Sequence, residues 1–556
     1  MHFAAWLATY RRDWLRADGV AGLTAAAVVI PKAMAYAVIA GVPIEAGLYT
    51  ALAAMLVYPL LGSSRPLSVT TTSAIAMLLA QVIATSSQTT GATASAVAST
   101  MALLVGGILV LARLLRLGFL ANFISLPVLV GFEAGVGIVI IVGQLKSVLG
   151  VNLTSHTTVG IVLELPRVLS QTHGATVLLA VIGIAVLVAL PRLFPRVSAP
   201  LAWVALSIAA AAVLGLGALG VKSVGAVPSG LPALAMPELA LAWQLWPAAL
   251  GVALMSFTES VAAARTFCQR DDPPVNANQE LLAVGAANVA SAFVGGLPAG
   301  GGTSQTAIAD SAGARSQMAQ WINAASVLIV LLFLSPVIGL LPHAALGALI
   351  LVASVAMIKP EAFRAIARVR RTELIWALIT LAGVVFIGTL EGILIAVVIS
   401  ILTLFYQANH PPVYAVAYNR EKAVFRRAGE NDSDETFPGL LLLRTEGRLT
   451  FANAENARQK MQVLVAQSQP RVIVLECSAI PDIEYTALVM LTEAEENLRA
   501  RGVSLWLAAL NPDLLKVIER SPLGKVLGHE RMFFNLRKAL EAWEQGGDRP
   551  AMPPQG

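Results

Sequence analysis

The sequence predicts a polytopic α-helical membrane protein of about fourteen segments in two inverted halves of seven, followed by a small α/β domain. Three observations carry this. Charged residues are only 13% of the 556 and hydrophobic ones 57%, against roughly 25% charged in soluble domains. Apolar runs of membrane-spanning length recur from about residue 20 to 407. Beyond Phe405 the texture changes to short apolar runs alternating with amphipathic ones, the pattern of a small strand-and-helix domain.

The full-length runs cover residues 23–39, 46–61, 99–115, 123–142, 175–190, 201–219, 246–267, 281–294, 321–341, 345–358, 374–389 and 393–405. Two more, 69–80 and 303–312, are too short to span and begin among small or polar residues, so they read as half-helices. Loop charges support the count. With the N-terminus inside, the loops after even-numbered segments hold Arg65, Arg113, Arg116, Arg192, Arg196, Arg265, Arg270, Arg315 and the basic stretch 359–371. The opposite loops offer Lys146, Arg167 and Lys222. This is the positive-inside asymmetry, and it places both termini in the cytoplasm. It also accounts for the net charge of +5 without nucleic-acid binding. Residues 1–19, with Trp6, Trp14 and no cleavage site, read as an interfacial cytoplasmic segment and not a signal peptide.

The transmembrane part spans residues 20–407, with halves near 20–220 and 245–407. Seven segments per half force the second to be inverted. In each half the third segment is the short one, and Thr72-Ser73-Ala74-Ile75-Ala76 echoes Gln305-Thr306-Ala307-Ile308-Ala309. Paired, interrupted helices at matching positions point to a midplane binding site. A helix N-terminus carries unpaired N–H groups and a partial positive charge, so it suits an anion. Val69-Thr70-Thr71-Thr72-Ser73 and Gly300-Gly301-Gly302-Thr303-Ser304-Gln305-Thr306 fit that use: glycines permit close approach and hydroxyls add donors.

Ionisable residues inside apolar runs cost about 2.5–3.5 kcal/mol on insertion scales, so each needs a reason. Lys32, Glu133 and Glu259 stand deepest, with Asp310 and Glu391 nearer segment ends. Glu259 is the candidate proton carrier; Lys32 is a cation beside an anion site or the partner of Glu133 or Glu259, and Glu133 reads as structural. The tail divides into a linker at 408–436, an α/β domain at 437–545 and a disordered end at 546–556. Cys268 and Cys477 read as free thiols. No P-loop, nucleophile motif or metal-ligand cluster is present, so no enzyme activity, cofactor or metal is expected.

Several stretches resemble the SulP family of sulfate permeases and related anion transporters: residues 18–24, Ile30-Pro31-Lys32-Ala33-Met34-Ala35-Tyr36-Ala37, Ala46-Gly47-Leu48-Tyr49, Gly62-Ser63-Ser64-Arg65, and Gly296-Leu297-Pro298 through Arg315. The tail resembles a STAS domain in Phe451-Ala452-Asn453-Ala454-Glu455-Asn456 and in residues 474–483. The resemblance implies a UraA-like fold with core and gate domains, elevator-like alternation, a site between the third and tenth segments lined also by the first and eighth, and a homodimer in the bacterial inner membrane. It nominates Lys32, Tyr36, Thr71, Thr72, Ser304, Gln305 and Thr306 for substrate and Glu259 for coupling. The sequence departs from the family in having Lys32 where glutamine is usual, Thr70-Thr71 in place of Gly-Pro, and Gln305 where many members carry arginine. In the tail, Glu484-Tyr485-Thr486-Ala487 replaces the usual Asp-Ser-Ser/Thr-Gly, which disfavours a phosphoswitch at Thr486 and leaves dimerisation, or a cytoplasmic partner, as the tail's role. The expected function is secondary active transport of sulfate, bicarbonate or a dicarboxylate by proton symport, with Na⁺ as the other candidate coupling ion. The alternatives are a passive channel or exchanger, and a STAS-coupled membrane sensor.

Overall fold

The computed structural model describes residues 4–122, 125–153, 155, 157–194, 197–269, 272–429 and 434–546. Arg196, Arg270, Phe123 and the expected disordered end from residue 547 lie outside them. The chain divides into two compact units, residues 1–400 and 401–556.

Fourteen helices follow the apolar runs: α1 (Leu15–Ala40), α2 (Ile44–Leu61), α3 (Ser73–Thr90), α4 (Ala94–Leu114), α5 (Leu126–Leu149), α6 (Gly174–Leu193), α7 (Ala199–Leu214), α8 (Ala242–Thr266), α9 (Ala277–Phe293), α10 (Thr303–Ser311), α11 (Met318–Ile329), α12 (His343–Val355), α13 (Arg371–Phe386) and α14 (Thr389–Asn409). Among the described residues, eight helical stretches are long and apolar enough to cross a membrane. Helix α11 continues through a π-helical turn, Val330–Leu334, to Ile338. Two amphipathic connectors, Thr158–Val168 and Pro360–Val369, have no counterpart in the apolar runs, because a search for long hydrophobic stretches passes over helices with a polar face. The N-terminal segment holds only Ala5–Ala8 and a 3₁₀ turn, Arg12–Trp14, before α1. Trp6 is buried and donates its indole N–H to the Pro59 carbonyl at 2.7 Å.

The half-helix expected at 69–80 starts later and runs further. Val69 and Thr70 are extended, and the helix continues to Thr90 although residues 85–90 are polar. Thr85 and Thr89 return their hydroxyls to the carbonyls of Gln81 and Thr85, at 3.0 and 3.3 Å. This back-bonding hides polar groups from an apolar surround.

Helix packing sorts the first unit into two bundles in the same way in both halves. Helices α1–α4 pack with α8–α11, and α5–α7 pack with α12 and α13, on which α14 lies. Small residues set the closest approaches, as membrane packing requires. A Cβ at Gly131 of α5 would overlap the Ala377 carbonyl of α13, and Gly106 and Gly285 face each other across α4 and α9.

In the second unit, strands β3 (Val413–Asn419), β4 (Val424–Arg427), β5 (Leu440–Thr445), β6 (Val472–Glu476), β7 (Ser504–Ala508) and β8 (Met532–Phe533) form a sheet in the order β4-β3-β5-β6-β7-β8, parallel from β5 to β8. Strands β1 (Val69–Thr70) and β2 (Gly300–Gly301) belong to the membrane unit. Both faces of the sheet are covered, so β5 is apolar at every position from Leu440 to Leu443. Leu441 and Leu443 pack under α15 (Ala454–Ser468) and α16 (Tyr485–Ala500), while Leu440 and Leu442 pack with Leu536 and Leu540 of α17 (Leu536–Gly546). The β3–β4 hairpin occupies residues read from sequence as linker; Pro411-Pro412 and the short Val413–Asn419 run concealed it. Cys477 is buried beside Glu476, and both burial and that carboxylate push its thiol pKa up.

Two outcomes are expected. Gly131→Ala should destabilise the detergent-solubilised protein by about 1–3 kcal/mol through overpacking, read as a lowered Tm. Because the Cys477 pKa is raised, its thiolate fraction at pH 8 lies below that of an ordinary thiol. Iodoacetamide should therefore leave Cys477 unmodified in the native protein and label it on unfolding, as mass spectrometry of the digested chain would show.

Candidate substrate site

Two short strands create the site. β1 (Val69–Thr70) precedes α3 and β2 (Gly300–Gly301) precedes α10; they pair antiparallel, Val69 opposite Gly301 and Thr70 opposite Gly300. Pairing the two lead-in strands brings the N-termini of both interrupted helices together. The β2 side of this crossing is tight enough to favour glycine, most strictly at Gly301. A Cβ at Gly301 would lie 2.7 Å from Ser260 Cα, and one at Gly300 would lie 2.8 Å from Ile75 Cδ1. Helix α8 braces the crossing: Gly301 N–H donates to Ser260 Oγ at 2.7 Å, and Ser256 Oγ donates to the Ala299 carbonyl at 2.6 Å.

The helix starts face a cavity of about 410 Å³. Of the residues nominated from sequence, Lys32, Tyr36, Thr72, Ser304, Gln305 and Glu259 line it together. Thr71 and Thr306 do not. The buried Thr71 hydroxyl donates to the Pro298 carbonyl at 3.0 Å. Thr306 Oγ1 donates to the Gly302 carbonyl at 2.8 Å and accepts from Ser68 N–H at 3.1 Å. Both hydroxyls are spent on holding the crossing.

Within the cavity, Lys32 Nζ donates to Ser304 Oγ at 3.0 Å. Thr72 Oγ1 donates to Glu259 Oε2 at 2.7 Å and accepts from Ile75 N–H at 3.3 Å, capping α3. Glu133 pairs with Lys359 at 3.1 Å, and both line the same cavity. Among the described residues no ion pair joins Lys32 to Glu133 or Glu259, so the lysine is spoken for by a neutral hydroxyl and not by an internal carboxylate. Gln305 Oε1 is buried without a partner. The first turn of α10 adds backbone N–H groups that have no acceptor within the helix.

Asp310 and Glu391 do not line the cavity. Asp310 accepts from Gln269 Nε2 at 2.9 Å, and Glu391 accepts from Gln81 Nε2. Three further polar residues line the cavity beyond the nominated set: Ser73, Glu133 and Lys359. Ser73 bonds Met357 Sδ at 3.4 Å, and Lys359 was absorbed into the basic loop stretch. Glu133, which its place in an apolar run marks out and which the sequence reads as structural, lines the cavity wall. The signal for Lys359 was its distance from Arg364, which leaves it alone at the start of that stretch. Among the described residues no group of three His, Cys, Asp or Glu is placed to hold a metal.

The sulfate permease family model matches residues 15–380, about two thirds of the chain. The chain belongs to the sulfate permease family. A STAS domain model matches residues 433–539. A probable sulfate transporter of Mycobacterium tuberculosis is 37% identical over 541 residues, covering 96% of each chain. Sulfate transporter 3.1 of Arabidopsis thaliana is 27% identical, over 97% of this chain and 86% of the relative. Among solved structures, murine Solute Carrier 26 family member A9, an anion transporter captured in the inward-facing state, superposes with a TM-score of 0.87 at 21% identity, covering 98% of this chain and 93% of that one. The transmembrane domain of the cyanobacterial bicarbonate transporter BicA superposes with a TM-score of 0.60 at 23% identity, covering 71% of this chain and 98% of that one. The fold of the sulfate permease chain is thus the core-and-gate fold, and the protein is a multi-pass membrane protein of an anion-transporting family, not an enzyme.

Gly301→Val should force the β1–β2 crossing apart against Ser260 and Leu67. Uptake by the reconstituted protein should be lost while the size-exclusion profile keeps its folded peak.

Proposed function

We propose that this sulfate permease is a secondary active transporter that carries a small anion across the membrane with a proton. Sulfate is the first candidate, in view of the names of its relatives; bicarbonate and dicarboxylates such as succinate are the others. The observation that carries the reading is a single cavity in which Lys32, the Ser304 hydroxyl and the start of α10 meet the Glu259 carboxylate.

The chemistry follows from charge. Lys32 and the N–H groups of α10 attract an anion. An ionised Glu259 repels it. Protonation removes that repulsion, so the proton and the anion each favour binding of the other, and the linkage is reciprocal. Lys32, Tyr36, Thr72, Glu259, Ser304 and Gln305 all ride on the bundle of α1, α3, α8 and α10. Leu187, Leu349 and Glu133 line the cavity from the other bundle. Sliding the first bundle past the second would move a bound anion with its proton, the elevator motion. We further place both termini in the cytoplasm, on the basic loops, and assign the STAS unit to dimerisation or to a cytoplasmic partner.

The test is uptake of labelled sulfate, bicarbonate and succinate into proteoliposomes, each under an imposed inward proton or sodium gradient. Accumulation of one anion driven by the proton gradient supports the proposal; accumulation under sodium alone replaces the coupling ion, and flux without accumulation indicates a channel. Glu259→Gln should abolish proton-driven accumulation and keep anion counterflow. Lys32→Gln should abolish uptake, and adding Gln305→Arg should restore part of it. Unimpaired uptake by Lys32→Gln would remove the lysine from the site.

A further inference from the structure

Among the described residues four charged ones line the cavity: Lys32 and Glu259 on one bundle, Glu133 and Lys359 on the other. Glu133 lies on α5, and Lys359 immediately precedes the Pro360–Val369 helix that packs on α5. We infer that the Glu133–Lys359 ion pair sets the charge of the cavity and thereby the valence of the anion it accepts. The inference rests on the substrate-site reading above and deepens it.

The pair is not a buried structural bridge. The Glu133 side chain is 21% exposed and that of Lys359 56%, and both line the cavity. Their separation of 3.1 Å makes the carboxylate a tethered anion held on the lysine. With the pair intact, Lys359 offers little net attraction to a substrate. The cavity then carries no formal charge when Glu259 is ionised and one positive charge when it is protonated. That balance suits a monoanion, or a dianion that leaves one charge uncompensated. Removing the Glu133 charge frees Lys359 and adds one positive charge to the cavity wall. The extra attraction scales with the valence of the ligand, so a dianion gains twice what a monoanion gains. Glu133 is thereby explained as well. A carboxylate in an apolar run needs a purpose, and here it cancels a cation at the cavity wall.

The experiment measures inhibition of labelled substrate uptake by sulfate, a dianion, and by nitrate, a monoanion, and takes the ratio of the two affinities. Glu133→Gln should raise the preference for the dianion on the order of five-fold, as one added unit charge across a water-filled cavity implies. Glu133→Gln combined with Lys359→Met should return the ratio to its starting value. Lys359→Met alone leaves Glu133 unpaired and should shift the ratio toward the monoanion, which keeps the test decisive if Glu133→Gln folds poorly. Glu133→Asp, which keeps the charge, should leave the ratio near that of the parent. An unchanged ratio in Glu133→Gln and in Lys359→Met, with uptake still dependent on Lys32, overturns this inference alone. Uptake indifferent to Lys32 overturns the site reading together with it.

Discussion

A helix that starts in the middle of a membrane exposes backbone N–H groups where no water can satisfy them, and this constraint shapes the rest of the molecule. Irregular backbone at that depth survives only when protein or a water-filled cavity receives it. Here both answers are used. The β1–β2 pair satisfies the lead-in strands, and Ser260, Ser256, Thr71 and Thr306 spend their hydroxyls on the remaining backbone of the crossing. What is left over is the first turn of α10, whose unpaired donors face the cavity. The anion site is the residue of that accounting, which is why glycines at 300 and 301 and hydroxyls around them matter as much as the residues that touch a ligand.

The same accounting separates two kinds of intramembrane charge. Asp18 is fully buried and accepts from Arg315 N–H, Ser316 N–H and Ser316 Oγ at 2.7, 3.1 and 2.6 Å. Glu280 is fully buried and accepts from Tyr58 Oη, Ser63 N–H and Ser63 Oγ at 2.9, 2.9 and 2.6 Å. These carboxylates are saturated by donors and clamp segment ends within one bundle. Among the described residues Lys32 and Glu259 instead have one hydrogen-bond partner each, both hydroxyls, and both line the cavity. A saturated charge holds structure; one with spare valences is free to exchange a ligand or a proton.

Much of this was legible in the sequence. The apolar runs located the fourteen helices, since a bilayer imposes a length on each, although α3 runs ten residues past the end of its apolar run. The third and tenth apolar runs located the crossing, because both are short and open among small and hydroxyl residues at matching places in the two halves. Contacts across the fold were not legible. Nothing in the spacing of Thr71 and Thr72 says that one hydroxyl faces Pro298 and the other Glu259, because a single turn of backbone decides it. Lys359 was hidden for a related reason: its partner Glu133 is more than two hundred positions away, and only the packing of α5 on the second half joins them. The β3–β4 hairpin escaped because its short first strand directly follows Pro411-Pro412, and its pairing to β5 is a contact that no local pattern reveals.

The placement of charge on the two bundles has an energetic consequence. Lys32 and Glu259 travel together, so on the proposed coupling the two site residues that move carry no net formal charge when the site is empty and Glu259 is ionised. Loaded with one proton and a monoanion the site again carries none. Both legs of the cycle then cross the membrane without work against its potential, which for one charge is roughly 2.3 kcal/mol per 100 mV. A dianion loaded with a single proton leaves one negative charge to be moved, and an inside-negative potential opposes its entry by that amount. Sulfate uptake by this site therefore calls for a second proton or a steep pH gradient, whereas monoanion uptake does not. The Glu133–Lys359 pair stays behind on the other bundle. It alters what the cavity attracts without altering the charge that moves, so selectivity and driving force are set by different residues.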